Sequence, residues 1–331
     1  MIDETFIIQT ENLTKKFGTV VAVNNLSLAV RRGEIFGLVG PDGAGKTTTI
    51  RMLAAIMNPT TGKATVAGYD TVKQGEAIKH HIGYMAQQFN LYGDLSVLEN
   101  ITFFADIFAV RGKIRRERID KLLHFARLTE FTDRRAGKLS GGMKKKLALA
   151  CALIHQPDIL YLDEPTTGVD PVSRREFWDI LADLHIQGVT ILVSTPYMDE
   201  AERCSRVGLM YRGAIIECDT PQNLKSQVAG DLLELRPTSP AARGIGLLRR
   251  AQAAVELLDG VLEVQTFGDL LHIFVDNAET RRPQILAALA AVNIEAQNVR
   301  QTRPQMEEAF ISLVRRAEAS AAGENNDTAT E

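Results

Sequence analysis

A glycine-rich loop that ends in lysine constrains the fold of this chain more than any other segment. Residues 40–47 read Gly-Pro-Asp-Gly-Ala-Gly-Lys-Thr and fit the pattern GxxxxGK[ST]. The apolar run at 35–39 precedes the loop as a predicted buried strand, and a helix is predicted to follow. Glycines let backbone N–H groups turn inward around a polyphosphate, and a helix N-terminus adds its positive dipole end. A glycine-rich turn with a fortuitous lysine is the alternative, and the flanking strand and helix disfavour it.

The loop predicts a division of labour among its residues. Lys46 is expected to reach the β- and γ-phosphates of a nucleotide, and the Thr47 hydroxyl is expected to bind Mg²⁺. The nucleotide-binding residues predicted here are Gly40, Pro41, Asp42, Gly43, Ala44, Gly45, Lys46, Thr47 and Thr48.

Two adjacent acids end the apolar run at 159–162. Alone, Asp163 and Glu164 could be an acidic turn, because strand ends are often polar. Downstream of a phosphate loop, Asp163 is expected to hold the Mg²⁺ that bridges two phosphates, and Glu164 to polarise the attacking water as the catalytic residue. A glutamate directly after the metal-binding aspartate indicates an ATPase rather than a kinase.

A third motif, Leu-Ser-Gly-Gly-Met at 139–143, precedes a helix predicted at 144–155. Ser140 can cap that helix, while Gly141 and Gly142 allow a phosphate to approach its N-terminus. An isolated Ser-Gly-Gly would more simply be an ordinary helix start. The phosphate loop, LSGGM, ILYLDEP and TTGVD nevertheless occur in this order. That order resembles the nucleotide-binding subunit of ABC transporters, over residues 5–226.

The resemblance implies ATP and Mg²⁺ as cofactors, and it implies roles for residues outside the phosphate loop. Phe17 matches the aromatic residue that stacks on adenine, with a merely buried phenylalanine as the alternative. Gln87 matches the glutamine that contacts Mg²⁺ and the transport subunit, although its neighbour Gln88 is a second choice of register. Asp170 matches the loop that contacts the opposite subunit. In the family, two such domains enclose two ATP molecules, so Ser140, Gly141 and Gly142 are expected to act on the partner's nucleotide.

The fold class implied is α/β, with a P-loop ABC ATPase domain at 1–226. This domain comprises a core α/β sheet, an antiparallel β subdomain and a helical subdomain that carries the signature motif LSGGM. Ser96 and Glu99 have capping-box spacing and predict a helix through Phe104 in that subdomain.

The chain changes character after residue 230. The pattern predicts a strand at 232–235, a helix at 240–258, strands at 261–266 and 270–275, a helix at 280–292 and a strand at 294–300. This βαββαβ order is that of a small α+β ferredoxin-like domain at 231–316. A last amphipathic helix is predicted at 306–316. The tail at 317–331 has four acidic and no basic residues and is predicted to be disordered.

The composition argues against one class of partner. The net charge of −3 disfavours binding to nucleic acid, since proteins that bind nucleic acid carry an excess of basic residues. No segment approaches the about 20 apolar residues of a membrane-spanning helix. Segments 198–202, 215–221 and 306–310 resemble drug-resistance-type exporter subunits, in which a separate permease forms the channel. We therefore expect transmembrane permease subunits and a second ATP-binding subunit, identical or different, as partners. The chain is expected to be cytoplasmic and held at the inner face of the membrane through the permease.

The sequence departs from the family pattern at two positions. Met143 replaces the commoner glutamine of the signature. Pro196 stands where the family usually has a histidine that senses the γ-phosphate, and proline supplies neither a side-chain donor nor an N–H. Two functions therefore stay open: an ATPase that powers efflux, and a weakly hydrolysing nucleotide-binding module that regulates a transporter or another complex.

Overall fold

The computed structural model describes residues 5–88, 91–240 and 244–327. The chain divides into two compact units, Met1–Pro221 and Gln222–Glu331. The predicted domains, 1–226 and 231–316, place this division slightly later in the chain. The difference arises at a short helix, Pro221–Ser226, which begins at the division.

The first unit alternates strands and helices along most of its length. Its strands are β1 (Phe6–Phe17), β2 (Val20–Arg31), β3 (Ile35–Val39), β4 (Thr61–Val66), β5 (Tyr69–Asp70), β6 (Ile82–Met85), β7 (Ile159–Asp163), β8 (Thr190–Thr195), β9 (Arg206–Tyr211) and β10 (Ala214–Asp219). Its helices are α1 (Lys46–Leu53), α2 (Gly75–Lys79), α3 (Val97–Ile107), α4 (Gly112–Phe125), α5 (Gly141–Leu153), α6 (Pro171–Ile186) and α7 (Met198–Ala201), and α8 (Pro221–Ser226) follows.

The central sheet has the strand order β10-β9-β3-β8-β7-β6, and its strands run parallel except for β10. Every residue of β3, β7 and β8 is buried, as expected for parallel strands in a sheet covered on both faces. The strands predicted at 35–39 and 159–162 are confirmed. Parallel strands end at one edge of a sheet, so the loops after β3, β7 and β8 lie side by side there.

A second, antiparallel sheet has the order β2-β1-β4-β5. Strands β1 and β2 form a long hairpin that closes where Phe17 pairs with Val20. Ile8 and Leu13 of this hairpin belong to one buried core with Phe36 of β3 and Ile50 of α1. The predicted antiparallel subdomain is therefore packed onto the central sheet.

Helices α3, α4 and α5 form a layer with its own core. The capping box is confirmed, because the Glu99 N–H donates to Ser96 Oγ (3.1 Å) and the Ser96 N–H donates to Glu99 Oε2 (2.7 Å). Helix α3 continues past the predicted Phe104 to Ile107. Helix α5 begins at Gly141 rather than Lys144, because Ser140 caps it.

The second unit has the predicted βαββαβ order. Its elements are β11 (Asp231–Thr238), α9 (Ile245–Val255), β12 (Val261–Phe267), β13 (Leu270–Val275), α10 (Ala278–Ala291), β14 (Glu295–Thr302) and α11 (Met306–Asp327). The sheet order is β12-β13-β11-β14, and each neighbouring pair is antiparallel. This is the topology of a ferredoxin-like domain.

The two largest differences between predicted and observed boundaries in the second unit concern helices. Helix α9 begins at Ile245 instead of residue 240, because Gly244 has a φ of +64° and cannot continue a right-handed helix; residues 241–243 lie outside the described residues. Helix α11 runs to Asp327 and not to residue 316. The tail predicted to be disordered from residue 317 therefore begins with helix, which agrees with the high helix propensity of its alanines. Residues 328–331 lie outside the described residues.

Within the described parts of the chain, none of the helices combines the length and apolar character needed to cross a bilayer.

His155, just after α5, is a titratable group held neutral by its surroundings. Its ring stacks on Phe108 with centroids 3.7 Å apart, and Nε2 lies 2.9 Å from the carbonyl oxygen of Ile82. Nδ1 is buried without a hydrogen-bond partner among the described residues. Burial, together with the nearby charges of His80 and Arg118, lowers the pKa of His155 to about 4. Protonation would bury a charge and an unmatched donor.

The lowered pKa predicts a specific acid sensitivity. The unfolded chain binds a proton at His155 as the pH falls through 6.5, whereas the folded chain resists until about 4. The contribution of His155 to the free energy of unfolding is fully present above pH 6.5. It is lost between pH 6.5 and pH 4, and the loss amounts to about 2 kcal/mol after allowance for partial exposure.

His155→Gln should remove that part of the pH dependence, because glutamine can still donate to Ile82 but does not titrate. The free energy of unfolding, measured by urea denaturation at pH 7 and pH 4.5, should fall less for the variant than for the wild type. The exposed His124→Gln provides the control. Parallel losses in all three proteins would contradict the assignment.

Candidate functional site

The phosphate loop connects β3 to α1, and its glycines are required by space as well as by conformation. A Cβ on Gly40 would lie 2.1 Å from the carbonyl oxygen of Met210, and one on Gly45 would lie 2.4 Å from that of Ala22. Gly43 and Gly45 have φ values of +78° and +106°, in the left-handed region. No larger residue fits at 40 or 45 without moving the neighbouring backbone.

The remaining loop residues are arranged around the start of α1. Pro41, Asp42 and Gly43 are exposed at the outer turn, whereas Ala44 is buried. Thr47 and Thr48 are half-buried in the first turn of α1. The first N–H groups of any helix have no intrahelical acceptor, so this turn presents donors to an anion.

Lys46 is buried within the loop that it is predicted to serve. Its side chain is 3 % exposed. Its Nζ donates to the carbonyl oxygens of Gly40 (2.9 Å) and Pro41 (3.0 Å) and lies 3.4 Å from Glu164 Oε1. The loop thus holds a desolvated cation, which interacts more strongly with a phosphate than an exposed one.

Asp163 has the geometry of a magnesium ligand. Its Oδ1 accepts hydrogen bonds from Thr47 Oγ1 (2.9 Å) and Ser194 Oγ (2.7 Å). Its Oδ2 is buried and has no hydrogen-bond partner among the described residues, so one oxygen is left for a cation. Among the described residues, no group of three or more His, Cys, Asp or Glu side chains is arranged to hold a metal ion. One carboxylate and one hydroxyl suit Mg²⁺, which takes its other ligands from phosphates and water.

Glu164 is held in an unusual backbone conformation. Its φ is +47°, which is uncommon for a non-glycine residue and frequent at functional sites. Its N–H is held by the Ser194 hydroxyl and carbonyl oxygens, both at 3.1 Å. Side chains of successive strand residues normally point to opposite faces. The left-handed turn breaks that alternation, so both acids, Asp163 and Glu164, contact the phosphate loop.

Gln87 reaches the same carboxylate from the end of β6. Its Nε2 donates to Glu164 Oε2 at 2.9 Å, and the Thr167 hydroxyl donates to the same oxygen at 3.4 Å. Gln88 is exposed. Gln87 is exposed as well, and its hydrogen bond to Glu164 is what places it, of the two possible registers, at the site.

Lys145 was missed as a site residue because it reads as part of a basic run. It lies in α5, and its Nζ donates to the backbone carbonyl oxygen of Gln87 at 3.1 Å. Partial burial lowers the pKa of Lys145, while the charges of Asp163 and Glu164 oppose that change. One helical turn separates Lys145 from Gly141, and that spacing is the signal that could have placed it beside the signature motif.

The signature motif caps α5 and packs against the first turn of α6. Ser140 Oγ accepts a hydrogen bond from the Met143 N–H at 3.3 Å. A Cβ on Gly142 would lie 2.5 Å from Ser173 Oγ, so glycine is required there. Among the described residues, no hydrogen bond joins Ser140 to the phosphate loop of the same chain. Action of Ser140, Gly141 and Gly142 on a partner's nucleotide stays a prediction.

Asp170 and Phe17 occupy exposed positions near these loops. Asp170 Oδ1 caps α6 by accepting from the Ser173 N–H at 2.9 Å, and hydrogen bonds from Ser173 lower the pKa of its carboxyl group. Phe17 is 48 % exposed, so the interpretation as a buried core residue is wrong. Lys15 Nζ lies 5.2 Å from the Phe17 ring centroid. An exposed ring on the hairpin that reaches Gly45 is free to stack on a planar base.

Pro196 follows β8, and the two hydroxyls beside it are already engaged. Besides its bond to Asp163, the Ser194 hydroxyl accepts from Glu164. The Thr195 hydroxyl donates to Glu200 at 2.7 Å and accepts from the Tyr197 N–H at 3.1 Å. Both residues are fully buried. Neither hydroxyl is therefore available to take the place of the histidine that Pro196 replaces.

Together, these loops define a P-loop nucleotide-binding site at the carboxyl edge of a parallel sheet. Residues 23–167 match the family model described as ABC transporter. The daunorubicin resistance ATP-binding protein DrrA2 of Streptomyces coeruleorubidus is 33% identical over 309 residues, covering 93% of this chain and 95% of that protein. The chain belongs to the ABC transporter family.

Further relatives match the first unit more strongly. The probable multidrug ABC transporter ATP-binding protein YbhF of Escherichia coli is 47% identical over 225 residues, but the match covers 68% of this chain and only 39% of YbhF. Nod factor export ATP-binding protein I of Burkholderia orbicola is 40% identical over 237 residues, 71% of this chain and 78% of that protein.

Among solved structures, the dimeric cassette MJ0796 bound to ADP and Pi has a TM-score of 0.59 at 28% identity. The structural match covers 64% of this chain and 98% of the MJ0796 chain. The likeness therefore extends over about two thirds of this chain.

Lys46→Ala should abolish high-affinity ATP binding, because it removes the buried cation at the centre of the phosphate loop. Equilibrium titration with a fluorescent ATP analogue should show at least about a hundredfold loss, equivalent to about 2.7 kcal/mol. Lys63→Ala, on the exposed face of β4, is the control and should bind like the wild type. Unchanged affinity of the Lys46 variant would show that the loop is not the site.

Proposed function

We propose that this chain binds MgATP at the phosphate loop and hydrolyses it to power export through a separate membrane permease. One observation carries the proposal: Glu164 lies 3.4 Å from Lys46, directly after an Asp163 that is bonded to Thr47. The base, the phosphate-binding cation and the metal ligand thus converge on one point. The names of the relatives, which include resistance and export proteins, support efflux as the process.

Each residue would act through the contacts already described. Lys46 and the N–H groups of the loop would hold the β- and γ-phosphates, and Phe17 would stack on adenine. Asp163, Thr47 and Gln87 would hold Mg²⁺, which neutralises the charge that develops on the phosphates. Glu164 would accept a proton from the attacking water. Binding of the phosphates draws Lys46 away from Glu164 and leaves that carboxylate free to act as a base.

The complete site would need a second ATP-binding subunit. The signature serine Ser140 makes no hydrogen bond to its own phosphate loop among the described residues, whereas it caps an exposed helix start. The related cassette MJ0796 is dimeric. We therefore propose that Ser140, Gly141 and Gly142 contact the nucleotide of the partner subunit, and that Asp170 lies at that interface. The pair would sit at the inner face of the membrane, held by the permease.

A purely regulatory module is the less favoured function. This alternative was suggested by Pro196, which removes the histidine side chain that would donate a hydrogen bond to the γ-phosphate. The intact set of Lys46, Asp163 and Glu164 supports hydrolysis instead, because a binding module needs no positioned base. The missing imidazole affects the rate of the reaction and not its kind.

Glu164→Gln should trap an ATP-bound dimer, since the amide preserves the shape of the site but cannot accept the proton. Light scattering with MgATP in excess should show a mass twice that seen without nucleotide, while turnover is lost. The exposed Glu130→Gln is the matched control and should keep wild-type turnover. A variant that binds ATP but remains monomeric would contradict self-pairing and point to a different partner subunit.

Pro196→His should raise the rate of hydrolysis and leave ATP affinity nearly unchanged. An imidazole there would donate to the γ-phosphate, and one such donor changes kcat by about a hundredfold to a thousandfold in comparable sites. The wild type should therefore be slow. Steady-state turnover and equilibrium ATP binding are to be measured together.

Pro196→Ala separates the two effects of this substitution, because it removes the ring and restores the backbone N–H without adding a side-chain donor. Alanine should leave the rate low. A fast wild type that histidine slows would show that the loop after β8 works by another arrangement.

A further inference from the structure

Glu200 in α7 is a fully buried carboxylate that joins two loops of the site. Its Oε1 accepts from the Thr166 hydroxyl at 2.5 Å, and its Oε2 accepts from the Thr195 hydroxyl at 2.7 Å. Thr166 lies in the loop after β7, and Thr195 ends β8. Each carboxylate oxygen therefore anchors a different loop.

Arg174 supplies the countercharge to this buried group. Its Nε lies 3.7 Å from Glu200 Oε1, an ion-pair distance beyond hydrogen-bond length. Its guanidinium carbon lies 4.4 Å from the Tyr197 ring centroid, and Nη1 is 3.1 Å from Asp199. An unpaired buried carboxylate is costly, so loss of Arg174 should weaken the anchor that Glu200 provides.

The anchored residues stand directly beside the proposed chemistry. Thr166 is two residues after Glu164, and its neighbour Thr167 donates to the Glu164 carboxylate at 3.4 Å. Thr195 immediately precedes Pro196, where no imidazole can contact the γ-phosphate. The loop after β8 begins at Pro196. Because Thr195 is hydrogen-bonded to Glu200, which also holds Thr166, we infer that the orientation of this loop relative to Glu164 depends on the hydrogen bonds of Thr195.

We propose that Arg174 and Glu200 are a positioning pair for ATP hydrolysis. They hold the loops after β7 and β8 in one relative orientation, so that Glu164 faces the attacking water, and neither residue contacts the nucleotide. This role rests on the proposed ATPase function. It explains how a site without the histidine keeps its base in place. Phosphate binding at Lys46 should not depend on the pair, because no hydrogen bond or ion pair among the described residues joins Arg174 or Glu200 to the phosphate loop or to Asp163.

Arg174→Gln should lower kcat by between about tenfold and about a hundredfold, as expected for a small displacement of a base. ATP affinity and KM should stay within about twofold of the wild type. Arg174→Lys should recover part of the loss, because it restores the charge but not the planar contact with Tyr197. Arg175→Gln, the exposed neighbour on α6, is the matched control and should turn over ATP like the wild type.

Glu200→Gln tests the pair from its other side. Combined with Arg174→Gln, it should reduce kcat no further than the more damaging single variant, because both changes break the same ion pair. Thermal unfolding of every variant, followed by circular dichroism, shows that the compared proteins are folded at the assay temperature.

The outcomes separate the inference from the function on which it rests. An active wild type and an Arg174→Gln variant with the same kcat would overturn the positioning role alone. A variant that loses ATP affinity in parallel with kcat would also overturn it, since that pattern reports general disruption. A folded wild type that binds ATP but shows no turnover, alone or as a dimer, would overturn the proposed function and the inference with it.

Discussion

The hydrogen-bonded pairing of β8 between β3 and β7 is the constraint on which the whole site depends. In this register Val39 lies opposite Thr195, and Asp163 lies opposite Ser194. All three strands end at the same edge, so the phosphate loop, the paired acids and the loop at Pro196 emerge side by side. Ser194 then links the strands a second time, through its hydroxyl, to Asp163 and to the Glu164 backbone.

This arrangement places several charged side chains in the protein interior, where charge is destabilising. Lys46, Asp163, Glu164 and Glu200 are each less than a tenth exposed. Burial of unpaired ions destabilises the folded chain, and the hydrogen bonds and ion pairs around these groups offset that effect only in part. The left-handed Glu164 adds backbone strain. Such features persist at sites selected for binding and catalysis rather than for stability.

The sequence was informative where function is carried by contiguous residues. The phosphate loop, the acids after β7 and the cap of α5 are local patterns, and each could be placed on a strand end or a helix start before any contact was known. The sequence did not identify functional residues whose contacts are with distant parts of the chain. Lys145 reads as one of several lysines, and Arg174 and Glu200 read as ordinary charged helix residues. Their partners lie on segments far away in the chain, and no periodicity reports such pairings.

Residue identity and spacing by themselves determined the family, the phosphate-binding chemistry, the order of strands and helices in the second unit, and the absence of a histidine at position 196. Local backbone chemistry suffices for these, because glycine, capping and apolar-run patterns act within a few residues. Tertiary structure decided which glutamine reaches Glu164, that Phe17 is exposed, that the hydroxyls of Ser194 and Thr195 are engaged, and that Glu200 joins two loops. Those facts depend on strand register and on helix packing, which bring together side chains that the chain itself keeps far apart.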